Sequence, residues 1–252
     1  MERRTVPGRL SWQLGKVVVT REETARAKSI TLAVPHWNGH RPGQHVDIRL
    51  TAEDGYRAER SYSIASAPEQ EPHVTLTVER LDEGEVSPYL TGELRVGDQL
   101  ELRGPIGGYF VWEEQMGGPL LLIAGGSGIV PLMAMIRHRA AVGSTVATRL
   151  LYSSQSEADV IYRDELNRLA KGTTGLEVAY TLTREQPSGW TGYRRRIDAQ
   201  MLREVAWPPE HNPLIYICGP TSFVETVATH LVTLGYDAAR IRTERFGPTG
   251  GA

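Results

Sequence analysis

The sequence predicts two domains: a small antiparallel β-barrel, followed by an α/β domain with a parallel sheet. Polar and apolar residues alternate between closely spaced turn signals in the first half, as in half-buried strands. The second half instead has continuous apolar runs separated by helical patterns, as in buried parallel strands. The rhythm changes between Glu113 and Pro119, so we expect domains at residues 1–115 and 116–252. A chain of 252 residues accommodates both.

Strict alternation predicts the strands of the first domain. It is clearest at His73–Glu79 and recurs at Ser29–Val34 and His45–Leu50. Glycine-containing turns separate these segments, which is typical of a small antiparallel barrel. We expect one short helix within it, at about Ser87–Leu94.

Apolar runs predict the strands of the second domain. These runs are Leu120–Ala124, Thr145–Tyr152, Leu176–Leu182 and Leu214–Cys218. The helical patterns between and after them are Pro131–Ala140, Ile161–Ala170, Asp198–Val205 and Ser222–Leu234. Alternating strands and helices predict one parallel sheet with helices on both faces.

Composition argues against several functions. Lysine and arginine number 28 against 30 acidic residues, and a net charge of -2 provides no field that would hold a nucleic acid. The single cysteine, Cys218, excludes an iron–sulfur cluster held by four cysteines, and we expect no metal site.

Two segments give information on the cellular location of the protein. Residues Met1–Gly8 lack the apolar stretch of a secretory signal, so we expect a cytoplasmic protein. The uncharged segment Gly117–Ile136 is long enough to cross a membrane, but glycines and Pro131 interrupt it. We therefore expect a strand, a glycine turn and a helix there, without membrane insertion.

The first candidate site is Arg60-Ser61-Tyr62-Ser63, on a strand of the barrel. Alternation places Arg60 and Tyr62 on one face, where a guanidinium suits phosphate and an aromatic ring suits stacking. A solvent-facing strand is the alternative. Downstream, Gly84-x-x-Ser87 precedes the short helix, where Ser87 is a candidate for binding a pyrophosphate and for capping the helix, two roles that are compatible.

The second candidate site is the glycine turn Gly125–Pro131. It follows a buried strand and opens a helix, so its backbone can approach a phosphate closely. The Rossmann and P-loop patterns do not fit, because Pro131 stands where a third glycine is needed and no Lys-Ser/Thr follows. Two interpretations of this turn remain: a nucleotide-binding loop of another type, or a turn with only a structural role.

A third segment, Cys218-Gly219-Pro220, ends a buried strand at the carboxyl edge of the sheet, where open α/β sheets bind ligands. No histidine lies in a pattern that suggests a catalytic dyad with Cys218. We therefore favour a thiol packed beside a bound ring over a nucleophile.

The order of these motifs resembles that of the ferredoxin–NADP reductase superfamily. The motifs are Arg60-x-Tyr62-Ser63, Gly84-x-x-Ser87, Gly104-Pro105-Ile106-Gly107, Gly125-Gly126-x-Gly128-x-x-Pro131, Cys218-Gly219-Pro220 and Glu244-x-Phe246. They extend over nearly the whole chain, which is most similar to oxygenase reductase modules without their iron–sulfur domain. The resemblance implies a flavoprotein reductase that uses FAD and NADPH or NADH.

The resemblance also implies roles for individual residues. In the barrel, Tyr62 would lie against the isoalloxazine, Ser63 near its N5 and Arg60 on the pyrophosphate. The other residues implied at FAD are Val78, Arg80, Gly84, Val86, Ser87 and Phe246, the last covering the second flavin face unless it is a core residue of the last strand. The residues implied at the nicotinamide nucleotide are Gly126, Gly128 and Pro131 on its pyrophosphate, and Cys218, Gly219 and Pro220 beneath its ring. The candidate catalytic residues are Ser63, Glu244 and Cys218.

The choice of nucleotide depends on charge. In this family the deciding residues follow the third strand of the second domain, and Thr183-Arg184 favours the 2′-phosphate of NADPH. Arg194 would be a second phosphate contact, although a basic triplet is more often a solvated loop. The nearby acidic residues Glu185 and Asp159 instead favour NADH, so NADH remains the alternative electron donor.

The electron acceptor must be separate, because one cysteine cannot hold a [2Fe–2S] cluster. A ferredoxin, a flavodoxin, or a haem, Rieske or molybdenum subunit would fit. A basic docking surface for it would include Arg57, Arg60, Arg80 and Arg103. The alternatives are a flavin reductase that releases reduced flavin and a non-enzymatic subunit that senses NAD(P)H.

Overall fold

The computed structural model describes residues 10–70, 72–172 and 175–247. The predicted fold class is confirmed, because a six-stranded antiparallel sheet precedes a five-stranded parallel sheet that carries helices.

The first sheet has the order β4-β3-β6-β1-β2-β5. Its strands are β1 Gln13–Glu22, β2 Ala27–Ala33, β3 His45–Thr51, β4 Arg57–Ser63, β5 His73–Glu79 and β6 Gln99–Ile106. An antiparallel bridge between Ile64 and Leu76 joins the two edges of this sheet, which curls it into a barrel. Strand β5 has the bounds that its alternation predicts.

Alternate residues of the barrel strands point into one apolar core. Ile30, Ile48 and Leu76 are among its fully buried members. A helical turn, Tyr89–Glu93, adds Leu90 to this core, and the Leu94 N–H donates to the Tyr89 carbonyl at 3.0 Å in a π-type bond. This turn lies within the predicted short helix.

The second sheet is wholly parallel and has the order β11-β10-β7-β8-β9. Its strands are β7 Leu120–Gly125, β8 Thr148–Ser154, β9 Leu176–Leu182, β10 Leu214–Pro220 and β11 Ile241–Phe246. Its helices are α1 Ile129–Ala141, α2 Arg163–Lys171, α3 Ala199–Val205 and α4 Thr221–Thr233. All four predicted helices are present, and each observed end lies within two residues of the predicted one.

Strand β7 shows why both faces of this sheet are covered. Leu120 and Leu122 pack in a cluster with α1 and α2, whereas Leu121 and Ile123 pack in a cluster with α3 and α4. A strand that is buried on both faces has a continuous run of apolar residues in its sequence. Among the described residues, every helix is too short or too polar to cross a membrane.

The two domains meet through apolar and polar contacts. Ala27 and Ala65 of the barrel belong to the same buried cluster as α1 and α2. The Tyr216 hydroxyl donates to the Val111 carbonyl at 2.7 Å, and Arg242 donates to the same carbonyl at 2.8 Å. These contacts hold the two domains together beside the cleft that is described below.

Candidate cofactor site between the domains

A cleft of about 700 Å³ lies where the end of β5 faces the carboxyl edge of the parallel sheet. Its volume is within the range of small-molecule sites. The barrel lines it with residues from Glu79 to Leu81, and the second domain with residues from Gly125 to Ser127 and from Ser153 to Gln155. Phe246 completes one wall.

The glycine turn Gly126–Gly128 joins β7 to α1 at the floor of the cleft. Gly126 has a φ of 55°, which favours glycine. A β-carbon on Gly128 would lie 2.1 Å from the Cys218 carbonyl oxygen, so a side chain has no space there. Pro131 is buried in the first turn of α1, where its missing N–H costs no helical bond. The turn therefore presents bare backbone and a helix N-terminus to the cleft, which suits a pyrophosphate.

Cys218 and Gly219 lie at the end of β10, beside this turn. A β-carbon on Gly219 would lie 2.7 Å from the Phe223 ring. The Cys218 thiol is buried, and burial together with the Glu244 carboxyl raises its pKa well above the ordinary value. A thiol of that kind stays protonated and is a poor nucleophile. Pro220 follows at the cleft wall.

Arg60 brings two predicted phosphate motifs together. Its Nη2 donates to Glu85 Oε2 at 2.7 Å, which links strand β4 to the Gly84–Ser87 segment. Both side chains are about half exposed, so this ion pair is weak and a phosphate can compete for the guanidinium.

The rest of the β4 motif lies nearer the barrel interior. Tyr62 packs against the barrel core, and burial raises its pKa to about 12, so the phenol stays protonated. Ser63 is half-buried and stands opposite His45 of β3. The alternative of a merely solvent-facing strand fits Arg60 but not Tyr62.

Ser87 does not act as a helix cap. Its Oγ accepts the Leu81 N–H at 3.0 Å, outside the helical turn, and Gly84 closes the same loop through a bond to the Leu81 carbonyl. Val86 is buried in the barrel core, so its side chain is not available to a ligand. Val78 is buried in the same core.

Arg80 follows β5 and lines the cleft. Its backbone N–H donates to the Arg26 carbonyl at 2.7 Å, and its Nε lies 3.2 Å from Asp82 Oδ1. Arg103 lies on the barrel strand β6 and donates to Asp47 at 2.7 Å. Arg60, Arg80 and Arg103 thus all pair with carboxylates, which lowers the net charge of the predicted docking surface that they share with Arg57.

Glu244 connects both domains at one side of the site. It stands opposite Cys218 in the β10–β11 register, and its Oε1 lies 4.0 Å from Nδ1 of His45. Among the described residues, its buried Oε2 has no hydrogen-bond partner. Burial raises the pKa of Glu244 to about 7 and lowers that of His45. Sequence reasoning missed His45, because an alternating strand gives no reason to single it out.

We expect the Glu244→Gln variant to flatten the pH dependence of stability. Because the folded pKa of about 7 exceeds the ordinary 4.5, the free energy of unfolding falls as pH rises between these values. The loss is at most about 3 kcal/mol, and 27% exposure of the side chain reduces it. Urea unfolding of both proteins at pH 5 and pH 8 measures it. Parallel pH profiles would contradict the raised pKa.

Phe246 ends β11 opposite Pro220, and both line the cleft. The Phe246 ring also packs against the buried cluster of α1 and α2. It is half-buried, so the ring contacts this cluster and also borders the cleft; the predicted role at the flavin face stays a prediction.

The cleft wall after β9 contains the residues predicted to read the nucleotide. Thr183 lines the cleft and donates to the Ser154 carbonyl at 3.2 Å, and the exposed Arg184 follows it. Arg194 donates to the Trp190 carbonyl at 2.7 Å and does not line the cleft, whereas Arg196 does. Asp159 lines the cleft as well. Sequence reasoning missed Arg196, because nothing in a basic triplet shows which member faces a ligand.

No group of three or more His, Cys, Asp or Glu side chains in the described ranges is arranged to hold a metal ion.

Two family models match the chain in the order of its domains. The oxidoreductase FAD-binding domain matches residues 15–111, and the oxidoreductase NAD-binding domain matches residues 122–229.

Curated relatives agree with this assignment. NADH-cytochrome b5 reductase 1 of Aspergillus terreus is 35% identical over 206 residues, which are 79% of this chain and 68% of that protein. The glycine betaine monooxygenase reductase subunit of Chromohalobacter salexigens is 32% identical over 211 residues, which are 83% of this chain and 56% of that protein. The chain thus spans about two thirds of the first relative and little more than half of the second.

A solved structure agrees as well. The FAD/NAD-binding domain of a nitric oxide dioxygenase from Vibrio cholerae superposes with a TM-score of 0.83 at 28% identity, covering 94% of this chain and 99% of that one. The glycine turn, the cleft and the two matched domains confirm the predicted family and its cofactors: the chain belongs to the ferredoxin–NADP reductase superfamily of flavoprotein oxidoreductases, which bind FAD and NAD(P)H.

Proposed function

We propose that this chain passes electrons from NADPH, through FAD, to a separate one-electron acceptor. The observation that carries the proposal is the cleft that the end of β5 shares with Gly126 and Ser127 of the glycine turn. FAD, when bound, accepts two electrons together as hydride and releases them one at a time. We also propose the division into an FAD domain, residues 1–115, and an NAD(P) domain, residues 116–252.

The barrel residues are proposed to hold FAD. Arg60 exchanges Glu85 for the pyrophosphate, and Tyr62 offers its ring face to the isoalloxazine. Ser63 hydrogen-bonds near N5. The remaining contacts are proposed for the backbone of Val78, Arg80, Gly84 and Val86, and for Ser87. The exposed Arg60–Glu85 pair and the half-buried Tyr62 support this arrangement.

The second domain is proposed to hold the nicotinamide nucleotide. Gly126, Gly128 and Pro131 receive its pyrophosphate; the position of Gly126 in the cleft lining and the start of α1 directly after the turn support this. Cys218, Gly219 and Pro220 lie beneath the ring, and Phe246 occupies its place when the nucleotide is absent.

Glu244 is proposed to hold a proton at Oε2 near neutral pH. Its raised pKa of about 7 supports this role, since general acids and bases work best when their pKa lies near the working pH. Cys218 is proposed to act through packing, because burial keeps its thiol protonated.

NADPH is the proposed donor. Arg184 and Arg196 supply positive charge at the wall that would receive a 2′-phosphate, with Thr183 beside them. Asp159 opposes this preference and favours NADH. Because one relative is named as an NADH reductase, both nucleotides must be compared directly.

A separate protein is the proposed acceptor: a ferredoxin, a flavodoxin, or a redox subunit of an oxygenase. The single cysteine supports this, since the chain cannot hold a four-cysteine cluster of its own. The relative named as the reductase subunit of a monooxygenase supports it as well.

An anaerobic titration of the purified protein with NADPH, and separately with NADH, tests the proposal. We expect bound FAD to lose its visible absorbance with both nucleotides, and at a lower concentration of NADPH. Protein that purifies without flavin but reduces added flavin would instead be a flavin reductase. Retained FAD that neither nucleotide bleaches would favour a sensing subunit.

A further inference from the structure

We propose that Tyr162 is a positioning residue that fixes the nucleotide-side wall of the cleft to the flavin-side strand β5. The inference rests on the proposed function, since it concerns how the two cofactors are brought together. Tyr162 lies between the cleft segment 155–161 and helix α2.

The backbone of Tyr162 is strained. Its φ of 62° and ψ of 21° lie in the left-handed region. Within the described ranges, the only other non-glycine residue with a positive φ is Asn212, a residue type that tolerates this conformation. A bulky aromatic residue persists there only where its surroundings over-determine it, and such residues cluster at functional sites.

The Tyr162 side chain crosses the domain boundary. It is only 2% exposed, and its hydroxyl donates to Thr77 Oγ1 of β5. Thr77 Oγ1 lies 2.8 Å from Ser29 Oγ, which in turn donates to Glu23 Oε1 at 2.6 Å. The Tyr162 side chain therefore connects the second domain to a chain of buried hydrogen bonds inside the barrel.

The ring of Tyr162 is held from one face by Arg137 of α1. The guanidinium carbon lies 4.7 Å from the ring centroid. Arg137 donates to both carboxylate oxygens of Glu165, at 3.0 and 2.6 Å, and to the Ala65 carbonyl of the barrel at 2.8 Å. Partners in both domains thus fix the direction of the ring.

These contacts join the two walls of the cleft at one point. Thr77 lies two residues before Glu79, and Gln155, Asp159 and Ile161 line the opposite wall. Loss of the Tyr162–Thr77 bond frees the segment 155–161 to move relative to β5. A displacement of about 1 Å lowers the rate of a positioned reaction by up to about 100-fold.

The test uses the FAD-loaded variants Tyr162→Phe and Thr77→Val, alone and combined. Tyr180→Phe is the matched control, because the Tyr180 hydroxyl bonds to Asn167 within the second domain, at 3.0 Å. Three quantities are measured: the flavin reduction rate at saturating NADPH, the Kd of NADPH, and amide hydrogen exchange over residues 155–161 without nucleotide.

We expect each single variant to reduce flavin about 10-fold more slowly, with unchanged FAD content and an almost unchanged Kd. Exchange over residues 155–161 should rise in both. The double variant should match Thr77→Val, because Thr77→Val already removes the bond to Tyr162 together with the bond to Ser29. The Tyr180→Phe control should leave all three quantities unchanged.

The positioning role would be overturned if Tyr162→Phe reduced its flavin at the wild-type rate with wild-type amide exchange over residues 155–161. It would also be overturned if the double variant lost activity by the product of the two single losses. A change in the control as large as in Tyr162→Phe would do the same. If neither nucleotide reduces the wild-type protein, the proposed function fails. The exchange measurements still decide whether Tyr162 fixes segment 155–161 to β5.

Discussion

The Gly128→Ala variant is expected to lose nucleotide-dependent flavin reduction, by roughly 100-fold or more. Gly128 has an ordinary helical φ of −61°, so the substitution causes no backbone strain of its own. The cost is steric: the new methyl carbon would lie 2.1 Å from the Cys218 carbonyl oxygen and 2.4 Å from its carbon. Because β10 is paired on both sides, with β7 and β11, the glycine turn must move instead.

Gly92→Ala is the control for that substitution. It adds the same methyl group in the helical turn of the barrel, where nothing lies within 4 Å, and alanine favours helical backbone over glycine. Stopped-flow reduction, FAD content and thermal unfolding are compared for both variants. A Gly128→Ala protein that reduces its flavin at the wild-type rate would show that the turn does not bind the nucleotide.

Arg196→Ala is expected to lower kcat/KM for NADPH by about 10- to 100-fold, because a charge-assisted hydrogen bond contributes roughly 1.5 to 3 kcal/mol. The kcat/KM for NADH should stay within about twofold, since NADH lacks the 2′-phosphate. Steady-state kinetics with both nucleotides measure this change of preference. Arg196 lines the cleft, which is why the larger effect is expected there.

Arg194→Ala is the matched control, because it removes the same charge from the same triplet. The Arg194 guanidinium bonds to the Trp190 carbonyl and lies outside the cleft lining, so we expect near wild-type kinetics. A loss of NADPH preference in Arg194→Ala, with none in Arg196→Ala, would reverse the assignment. Equal losses for both nucleotides in Arg196→Ala would argue against recognition of the 2′-phosphate.

Regular features of the fold were predictable because they repeat along the chain. Alternation gave the bounds of β5, and continuous apolar runs marked four of the five parallel strands. Asp198 illustrates a local signal, since its side chain accepts the Met201 N–H at 2.7 Å and begins α3 one residue after the predicted start. Glycine turns were also predictable from a local signal, because only certain residues adopt the backbone conformation of such turns.

Features that depend on tertiary packing were not predictable. The sequence does not show that Arg196, rather than Arg194, faces the cleft, because that depends on the path of a loop. His45 lies near Glu244 only because two domains meet there, and an aromatic residue in the left-handed region has no sequence signal. Contacts of that kind require the folded chain.

The apolar cluster that contains Ala27 and Ala65 has a consequence for how the molecule can be divided. Although the family models match residues 15–111 and 122–229 separately, this cluster is continuous from the barrel to α1 and α2. A chain cut at the boundary would expose that apolar surface on both fragments, and such exposed patches promote aggregation. We therefore expect each domain to be less soluble alone than when it is joined to the other.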